Sequence, residues 1–350
     1  MRLGRFLIFI ALLTPSIFAQ KPSFTVGWSV YVGWNPYDYM QRSGILKKWA
    51  DKYGVAIKVQ RFDYAPSLDA FVARNIDACA MTNMEALDMP AAAGVDTSAI
   101  IVGDYSNGND AVITRQGLTL AQIPGKQVQI VEKTVSQYLF ERGMAMNGLE
   151  SQIKKMKYLN TSDADIASAF LTNPSKQVVV TWKPMVSQIA KAKDVKIVFN
   201  SSQIPGEILD LLVVRTDILK RPEGEKFAKA ITGAWYEVMA QMTSASADKA
   251  LASIAQSSQD TLASYKEQLS TTHMFYTPQS AVQETTAPDL KKTMDLVRRF
   301  CFTHALLGEK TASADDVAIQ FPDGGVLGKA DRVRLRFNPA YMQMAAQGRL

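Results

Sequence analysis

The chain has 350 residues, of which 47% are hydrophobic, and it carries 39 Lys and Arg against 33 Asp and Glu. This length exceeds one ordinary hydrophobic core, so we expect two lobes. The small basic excess is dispersed along the chain without a basic stripe or an Arg-rich tract, which excludes a nucleic-acid-binding surface.

The first 19 residues have the pattern of a secretory signal peptide. Arg2 and Arg5 precede an apolar run over residues 6–13, and residues 17–19 offer a cleavage site that ends in a small residue. The run is too short to span a bilayer comfortably. We therefore expect a mature protein that is exported to the periplasm.

The first predicted strand, residues 24–27, leads into a segment that is rich in aromatic residues. Gly27, Gly33 and Pro36 interrupt regular structure there. Aromatic faces at the carboxyl end of a strand can enclose a flat or cationic ligand, although the same residues could also pack in the core. We predict a ligand wall from these aromatics: Trp28, Tyr31, Trp34, Tyr37 and Tyr39.

Short apolar runs then alternate with helical patterns, which is typical of an α/β protein. The predicted helices cover residues 40–53, 66–73 and 83–92, and the predicted strands cover residues 56–62, 76–81 and 98–104. A polar loop at residues 105–110 interrupts the pattern. We interpret this loop as a crossover between the two lobes.

A second series of alternating elements follows the polar loop. Its strands are predicted at residues 127–131, 156–159, 177–181 and 196–199, and its helices at residues 135–147, 163–170 and 183–191. An apolar strand at residues 209–214 returns to the first lobe, and helices are predicted at residues 225–242, 245–255, 259–268 and 287–307.

This order predicts lobe 1 in residues 20–108, lobe 2 in residues 109–208, and lobe 1 again in residues 209–350. Each lobe is expected to be a mostly parallel sheet flanked by helices. The two crossovers that join them leave a cleft in which a ligand can be enclosed by domain closure.

Motifs of the common catalytic and metal sites are missing from the sequence. His273 and His304 are the only histidines, and neither lies in a metal-binding motif. The chain has no nucleophile elbow, P-loop or dinucleotide fingerprint. Cys79 and Cys301 could pair in an exported protein, but two buried thiols are favoured. We predict that the protein is not an enzyme and uses no metal or cofactor.

Eight segments distributed over the mature chain carry a family resemblance. They are VGWSVYVGW (26–34), MTNMEAL (81–87), IVGDYSNGND (101–110), NTSDADI (160–166), VVTWKP (179–184), IPGEILDL (204–211), MFYTP (274–278) and KTMDLVR (292–298). With them the chain resembles periplasmic substrate-binding proteins of ABC importers, in the nitrate/sulfonate/taurine-like group. Within that group it looks most like the urea-carboxylase-associated proteins of urea or guanidine uptake.

The resemblance implies a two-lobed periplasmic-binding-protein fold of type II that closes on a small ligand and docks on a membrane permease. It also implies that Thr134 or Ser136, at a helix N-terminus of lobe 2, donates to the ligand, with Glu132 as an acceptor. Trp182 matches a family tryptophan, whereas Lys183 stands where the group often has an acid.

The predicted strand ends that face the cleft carry acids, aromatics and small polar groups but no basic residue. The candidate ligand-binding residues are Trp28, Tyr31, Trp34, Asp63, Thr82, Asn83, Glu85, Asp104, Asp110, Glu132, Ser136, Trp182 and Glu207. Asp163 is a further candidate that could instead cap its helix. Arg61, Lys133 and Lys183 are placed outside, because each lies beside a residue that is expected to point inward.

An acidic, aromatic cleft repels anions and suits a planar cation. Guanidinium pairs with a carboxylate through two hydrogen bonds while its face rests on an indole ring. Urea is neutral and also needs donors, which Thr82, Asn83 and Ser136 could supply. We therefore expect guanidinium first and urea next.

The sequence thus predicts a monomeric binding component of an ABC importer for nitrogen uptake, with a small-molecule ligand and a membrane permease as its partners. The alternative in the same class is a binding protein for a sulfonate, taurine or nitrate. A remote alternative is an enzyme similar to thiamine-pyrimidine synthases, which share this fold but carry a Cys-rich motif that is absent here.

Overall fold

The computed structural model describes residues 21–308 and 311–350. The predicted signal peptide lies outside these ranges. Within the described ranges, no helix has the length and apolar character needed to cross a membrane.

The strands in chain order are β1 (Ser23–Trp28), β2 (Ala56–Arg61), β3 (Ala78–Thr82), β4 (Thr97–Ser106), β5 (Ala111–Arg115), β6 (Gln127–Ile130), β7 (Lys157–Asn160), β8 (Val178–Thr181), β9 (Val195–Asn200), β10 (Leu209–Arg215), β11 (Thr272–Met274), β12 (Ala318–Gln320), β13 (Val326–Leu327) and β14 (Val333–Phe337).

The α-helices are α1 (Asn35–Arg42), α2 (Ile45–Tyr53), α3 (Tyr64–Val72), α4 (Asn83–Ala86), α5 (Val135–Met146), α6 (Ile166–Thr172), α7 (Met185–Ile189), α8 (Thr216–Leu219), α9 (Pro222–Met242), α10 (Ala247–Ala255), α11 (Leu262–Leu269), α12 (Pro278–Thr286), α13 (Pro288–Thr303) and α14 (Ala340–Ala346).

The strands form two sheets, one in each lobe. In lobe 1 the order is β13-β12-β14-β4-β10-β3-β1-β2, with β11 paired to β4, and in lobe 2 it is β7-β6-β8-β5-β9. The chain passes between the lobes twice, after β4 and before β10. The predicted two-lobed α/β architecture with two crossovers is confirmed.

The prediction of mostly parallel sheets is wrong in detail. Among the described strands, six pairings are parallel and six are antiparallel. The strands β5 and β10 account for four of the antiparallel pairings. Each is reached by a crossover rather than by a helix over the sheet, so it starts at the cleft edge and runs away from the cleft.

The aromatic segment after β1 is more regular than expected. Helix α1 begins at Asn35, with Pro36 in its first turn, where a proline suits a helix. The single helix predicted over residues 40–53 is two helices, because Gly44 between them has a φ of 82° in the left-handed region. Tyr37 therefore lies in α1 and packs on Trp235 of α9, with ring centroids 4.9 Å apart.

Several other elements differ from the prediction. The helix expected over residues 83–92 is the short α4 followed by a π-helical turn at Leu87–Ala91. The strands β5 and β11–β14 and the helices α8, α12 and α14 were not predicted. Cys79 and Cys301 are both buried and form no disulfide within the described chain, so the interpretation as two buried thiols is confirmed.

The junction between α8 and α9 has no room for a side chain at Gly224. A Cβ at this position would overlap the backbone carbonyl of Ile218 in α8. We expect Gly224→Ala to lower the free energy of unfolding by about 2 kcal/mol, because the backbone of α8 must shift. Thermal unfolding measures this, with the exposed neighbour Lys226→Ala as control, and equal melting temperatures for the two variants would contradict the prediction.

Candidate functional site

A cavity of about 20 Å³ lies between the two lobes. Residues at the carboxyl ends of strands and at the crossovers line it, because the parallel strands of each sheet end at the cleft. The lining residues are Tyr31, Trp34, Tyr64, Thr82, Asp110, Val135, Trp182, Ile208 and Asp210. The volume corresponds to about one water molecule, so the lobes are closely apposed in this structure.

Four aromatic rings form a continuous row along the cavity. The ring centroids of Tyr31 and Trp34 lie 5.1 Å apart, those of Trp34 and Tyr64 5.3 Å apart, and those of Tyr64 and Trp182 5.8 Å apart. The first three belong to lobe 1 and Trp182 follows β8 of lobe 2. The row therefore spans both lobes and supplies aromatic faces and edges to a ligand that lies between them.

Two carboxyl groups lie side by side at the lobe 1 wall. Asp104 on β4 and Asp210 on β10 are direct partners in the antiparallel pairing of these strands, and both are buried. The Tyr31 hydroxyl donates to Asp104 Oδ1 at 3.2 Å. Burial raises the pKa of Asp104 to about 7, and burial together with the charge of Asp104 raises the pKa of Asp210 well above its ordinary value.

One oxygen of each of these carboxyls is buried and receives no hydrogen bond from any described residue. We call these two atoms, Asp104 Oδ2 and Asp210 Oδ2, the open acceptors. The indole Nε1 of Trp34 is likewise buried and has no acceptor within the described chain. Asp210 and Trp34 line the cavity, so their unpartnered atoms are candidates to contact a ligand, whereas Asp104 lies beside Asp210 outside the lining.

Two further buried carboxylates come from opposite sides of the cleft. Asp110 precedes β5, and burial raises its pKa to about 7. Glu85 on α4 of lobe 1 accepts from Val135 N, the first residue of α5 in lobe 2, at 2.7 Å, and from the Thr82 hydroxyl. Burial raises the pKa of Glu85 above its ordinary value. A lobe 1 carboxylate therefore occupies a helix N-terminus of lobe 2, where an anion is stabilised.

Positive charge is absent from the cavity wall. No Lys or Arg is among the residues that line it in the described part of the chain. The Lys183 ammonium bonds to Glu267 at 2.6 Å instead, Arg61 donates to the Ser257 carbonyl, and Lys133 is exposed. The described residues also contain no cluster that fits a metal ion. The wall is able to accept N–H donors and to balance a positive charge.

The predicted site residues divide into two sets. Tyr31, Trp34, Thr82, Asp110 and Trp182 line the cavity. Glu85 and Asp104 bond to lining residues, as described above. Ser136 is buried beside Val135, and its hydroxyl has no partner among the described residues.

The remaining five predicted residues also do not line the cavity, and each has a physical reason. Trp28 is packed in the core of lobe 1, Asp63 is exposed, and Glu132 lies in a half-exposed turn. Asn83 bonds to the backbone of Glu207 and Leu209 and so holds the second crossover. The Glu207 carboxylate is paired with Arg142 on α5 at 2.6 Å.

Four residues that line the cavity were not predicted, namely the apolar Val135 and Ile208 and the polar Tyr64 and Asp210. Asp210 is an acid in a strand that is otherwise apolar up to Arg215 at its end, and this exception was the signal that could have identified it. Tyr64 is the first residue of α3, and its backbone N–H donates to Asp163 of lobe 2 at 3.1 Å. Asp163 therefore makes a contact between the lobes.

A further contact between the lobes joins the end of α13 to α5. His304 Nε2 lies 2.8 Å from Glu141 Oε2, and His304 Nδ1 lies 2.8 Å from the Phe300 carbonyl. Both ring nitrogens face acceptors, which favours the protonated imidazole. Burial alone would lower the pKa of His304, but the hydrogen bonds to Glu141 and to the Phe300 carbonyl raise it.

Because the pKa of His304 is raised in the folded protein, this contact contributes its full stabilisation of the fold at pH values below the ordinary histidine pKa. The contribution is lost as the pH rises through the raised pKa. We expect His304→Ala to lower the free energy of unfolding by about 1–2 kcal/mol at pH 5.5 and by less at pH 9. Thermal unfolding at both pH values tests this, with the exposed His273→Ala as control. An equal loss at both pH values would contradict it.

Comparisons with known proteins place the fold. No family model matches the chain, and no curated protein matches it. Solved structures do match. The alkanesulfonate-binding protein SsuA from Xanthomonas axonopodis pv. citri, bound to MOPS, is 15% identical over 83% of this chain and 96% of that chain, with a TM-score of 0.66.

Two further similar structures cover more of the chain. A putative sulfonate-binding protein SsuA from Methylobacillus flagellatus is 11% identical over 94% of both chains, with a TM-score of 0.66. The periplasmic nitrate-binding protein NrtA from Synechocystis is 12% identical over 93% of this chain and 99% of that chain, with a TM-score of 0.55. Together with the strand order of lobe 1, these likenesses show that the chain has the two-lobed, type II periplasmic-binding-protein fold.

Proposed function

We propose that this protein is the periplasmic substrate-binding component of an ABC importer and captures a small planar nitrogen compound between its lobes. Guanidinium is the preferred ligand and urea the next. The mature protein acts as an exported monomer that delivers the ligand to a membrane permease, and it catalyses no reaction. The observation that carries the proposal is a set of buried carboxyl groups around the interlobe cavity without a described cation to balance them.

The charge of the cavity wall argues for a cation. A buried, unpaired carboxylate is destabilised by several kcal/mol, and a matched cation removes much of this cost. Guanidinium presents N–H donors around the edge of a flat ion, so it can bond to the Asp110 and Asp210 carboxyl groups that line the cavity while its face contacts a ring of the aromatic row. The cavity of about 20 Å³ holds about one water molecule, so the lobes must separate further to admit the four heavy atoms of guanidinium.

The unpaired indole nitrogen of Trp34 supports urea as the second candidate. Guanidinium has no acceptor atom for this N–H group, whereas urea offers its carbonyl oxygen. The hydroxyl of Ser136, on the lobe 2 side and without a partner among the described residues, can also donate, whereas the Thr82 hydroxyl already donates to Glu85. Because urea carries no positive charge, we expect it to bind beside these carboxyl groups more weakly than guanidinium.

The rival proposal is a sulfonate or nitrate ligand, and the names of the similar structures favour it directly. At 11–15% identity, however, that likeness extends to the fold and not to individual site residues. An oxyanion would be expected at the N-terminus of α5. In this chain the carboxylate of Glu85 already accepts from the first N–H group of that helix.

Calorimetric titration with guanidinium chloride, urea, taurine and sodium nitrate tests both proposals. Bound ligand should be removed by unfolding at low pH and dialysis, because guanidinium and urea are themselves the usual denaturants. We expect guanidinium to bind most tightly, urea more weakly, and taurine and nitrate not at all. Tight binding of taurine or nitrate without guanidinium binding would overturn the proposed ligand in favour of its rival.

A further inference from the structure

The carboxyl groups of Asp104 and Asp210 form a buried pair beside the cavity. Residues directly opposite on antiparallel strands project their side chains from the same face of the sheet, so the two groups are neighbours. Asp104 is fully buried and Asp210 is 3% exposed. Two carboxylates cannot both ionise at such a site without a large electrostatic penalty. A single proton between them removes this repulsion.

The groups that face the pair offer no positive charge to replace that proton. Among the described residues they are Tyr31 after β1, Tyr37 of α1, Tyr64 of α3, Asp110 before β5, Tyr265 of α11 and Tyr276 after β11. All of these side chains are acids or phenols. Burial raises the pKa of Asp104 to about 7, in keeping with a pair that retains a proton near neutral pH.

We propose that the Asp104–Asp210 pair holds one shared proton in the ligand-free protein and releases it to solvent when a cation with N–H donors binds. This coupling rests on the proposed function. One O–H bond breaks, the proton goes to the buffer, and the cation takes its place, so the net charge of the buried site is unchanged. The Asp210 carboxylate, which lines the cavity, then accepts from the ligand.

The coupling predicts how affinity depends on pH. The guanidinium ion does not lose its own proton below about pH 12, so any proton exchanged near neutrality comes from the protein. When binding releases one proton, affinity rises with pH by up to about tenfold per pH unit. The rise ends at a pH where the ligand-free pair has already lost its proton.

Titration of the mature protein with guanidinium chloride at pH 7, in phosphate and in Tris, measures the proton directly. These buffers differ in ionisation enthalpy, so the observed binding enthalpy should differ by the amount expected for about one proton released. Tetramethylammonium, a cation without N–H donors, should neither bind tightly nor release a proton. Guanidinium binding with equal enthalpies in both buffers and with pH-independent affinity would overturn the coupling but leave the proposed function intact.

Variants identify the source of the proton. In Asp210→Asn, the carboxamide N–H replaces the shared proton, so proton release and the pH dependence should largely disappear. Asp104→Asn makes the equivalent change on β4, so the test can still be carried out if one of the two variants does not fold. Asp88→Asn is the matched control, since Asp88 is another buried acid with an oxygen that lacks a described partner, but it does not line the cavity.

The possible outcomes are distinct. Undiminished proton release in both Asp104→Asn and Asp210→Asn would overturn the inference. Loss of release in Asp110→Asn alone would assign the proton to Asp110 and would also overturn it. If guanidinium fails to bind the unmodified protein at every pH, the proposed function fails first, and the coupling fails with it.

Discussion

Replacing Asp110 with Asn should weaken guanidinium binding by about 100-fold. Asp110 lines the cavity from the side of lobe 2, and the substitution removes its charge with little change in shape. A hydrogen bond to a charged group contributes about 1.5–3 kcal/mol, and the upper part of this range corresponds to the expected factor. Because a buried carboxylate is also removed, the melting temperature of the ligand-free variant should not fall.

Asp63→Asn is the matched control for this experiment. Asp63 was also predicted to be a site residue, because it follows the end of a predicted strand. Its side chain is exposed and does not line the cavity. Its substitution should change the dissociation constant less than threefold. If both variants bind guanidinium like the unmodified protein, the charge of the cavity wall does not select the ligand.

Replacing Trp182 with Ala should weaken guanidinium binding by a similar factor for a different reason. Trp182 is the lobe 2 member of the aromatic row, and its Nε1 donates to the Val30 carbonyl of lobe 1 at 3.4 Å. Truncation removes the indole ring that contacts the ligand, and a cation–π contact contributes about 0.5–2 kcal/mol to binding. It also removes a contact between the lobes that favours closure.

Trp182→Phe separates these two contributions. It keeps an aromatic ring but loses the indole N–H, so its affinity should stay within about tenfold of the unmodified protein. Titration calorimetry gives the dissociation constants, and small-angle scattering with and without guanidinium reports closure. Equal affinities of Trp182→Ala and the unmodified protein would place the ligand away from the aromatic row.

Much of the fold was predictable because its central strands are buried on both faces. Such strands read as short apolar runs between amphipathic helices, and β3, β4 and β8 were found in this way. Strand direction was not predictable, since an apolar run such as β10 looks the same whichever way it runs. The strands β12 and β13 have three and two residues, which is too short for a periodic pattern.

The candidate site was predictable in its character and only partly in its members. Tyr31 and Trp34 were found because Gly and Pro interrupt the aromatic segment at the end of β1. Glu207 was placed in the site although Arg142 neutralises it. Asp210 was missed because only the register of β10 against β4 brings it beside Asp104.

The sequence by itself determined that acids and aromatic residues gather in a cleft between two α/β lobes. This follows from local pattern, since the carboxyl ends of parallel strands meet along one edge of each sheet. Only the tertiary structure decided which carboxylates remain without a cation. Ion pairing depends on which distant side chains meet, as Glu207 meets Arg142 while Asp104 meets the Tyr31 hydroxyl and another acid, and no local pattern in the sequence encodes that encounter.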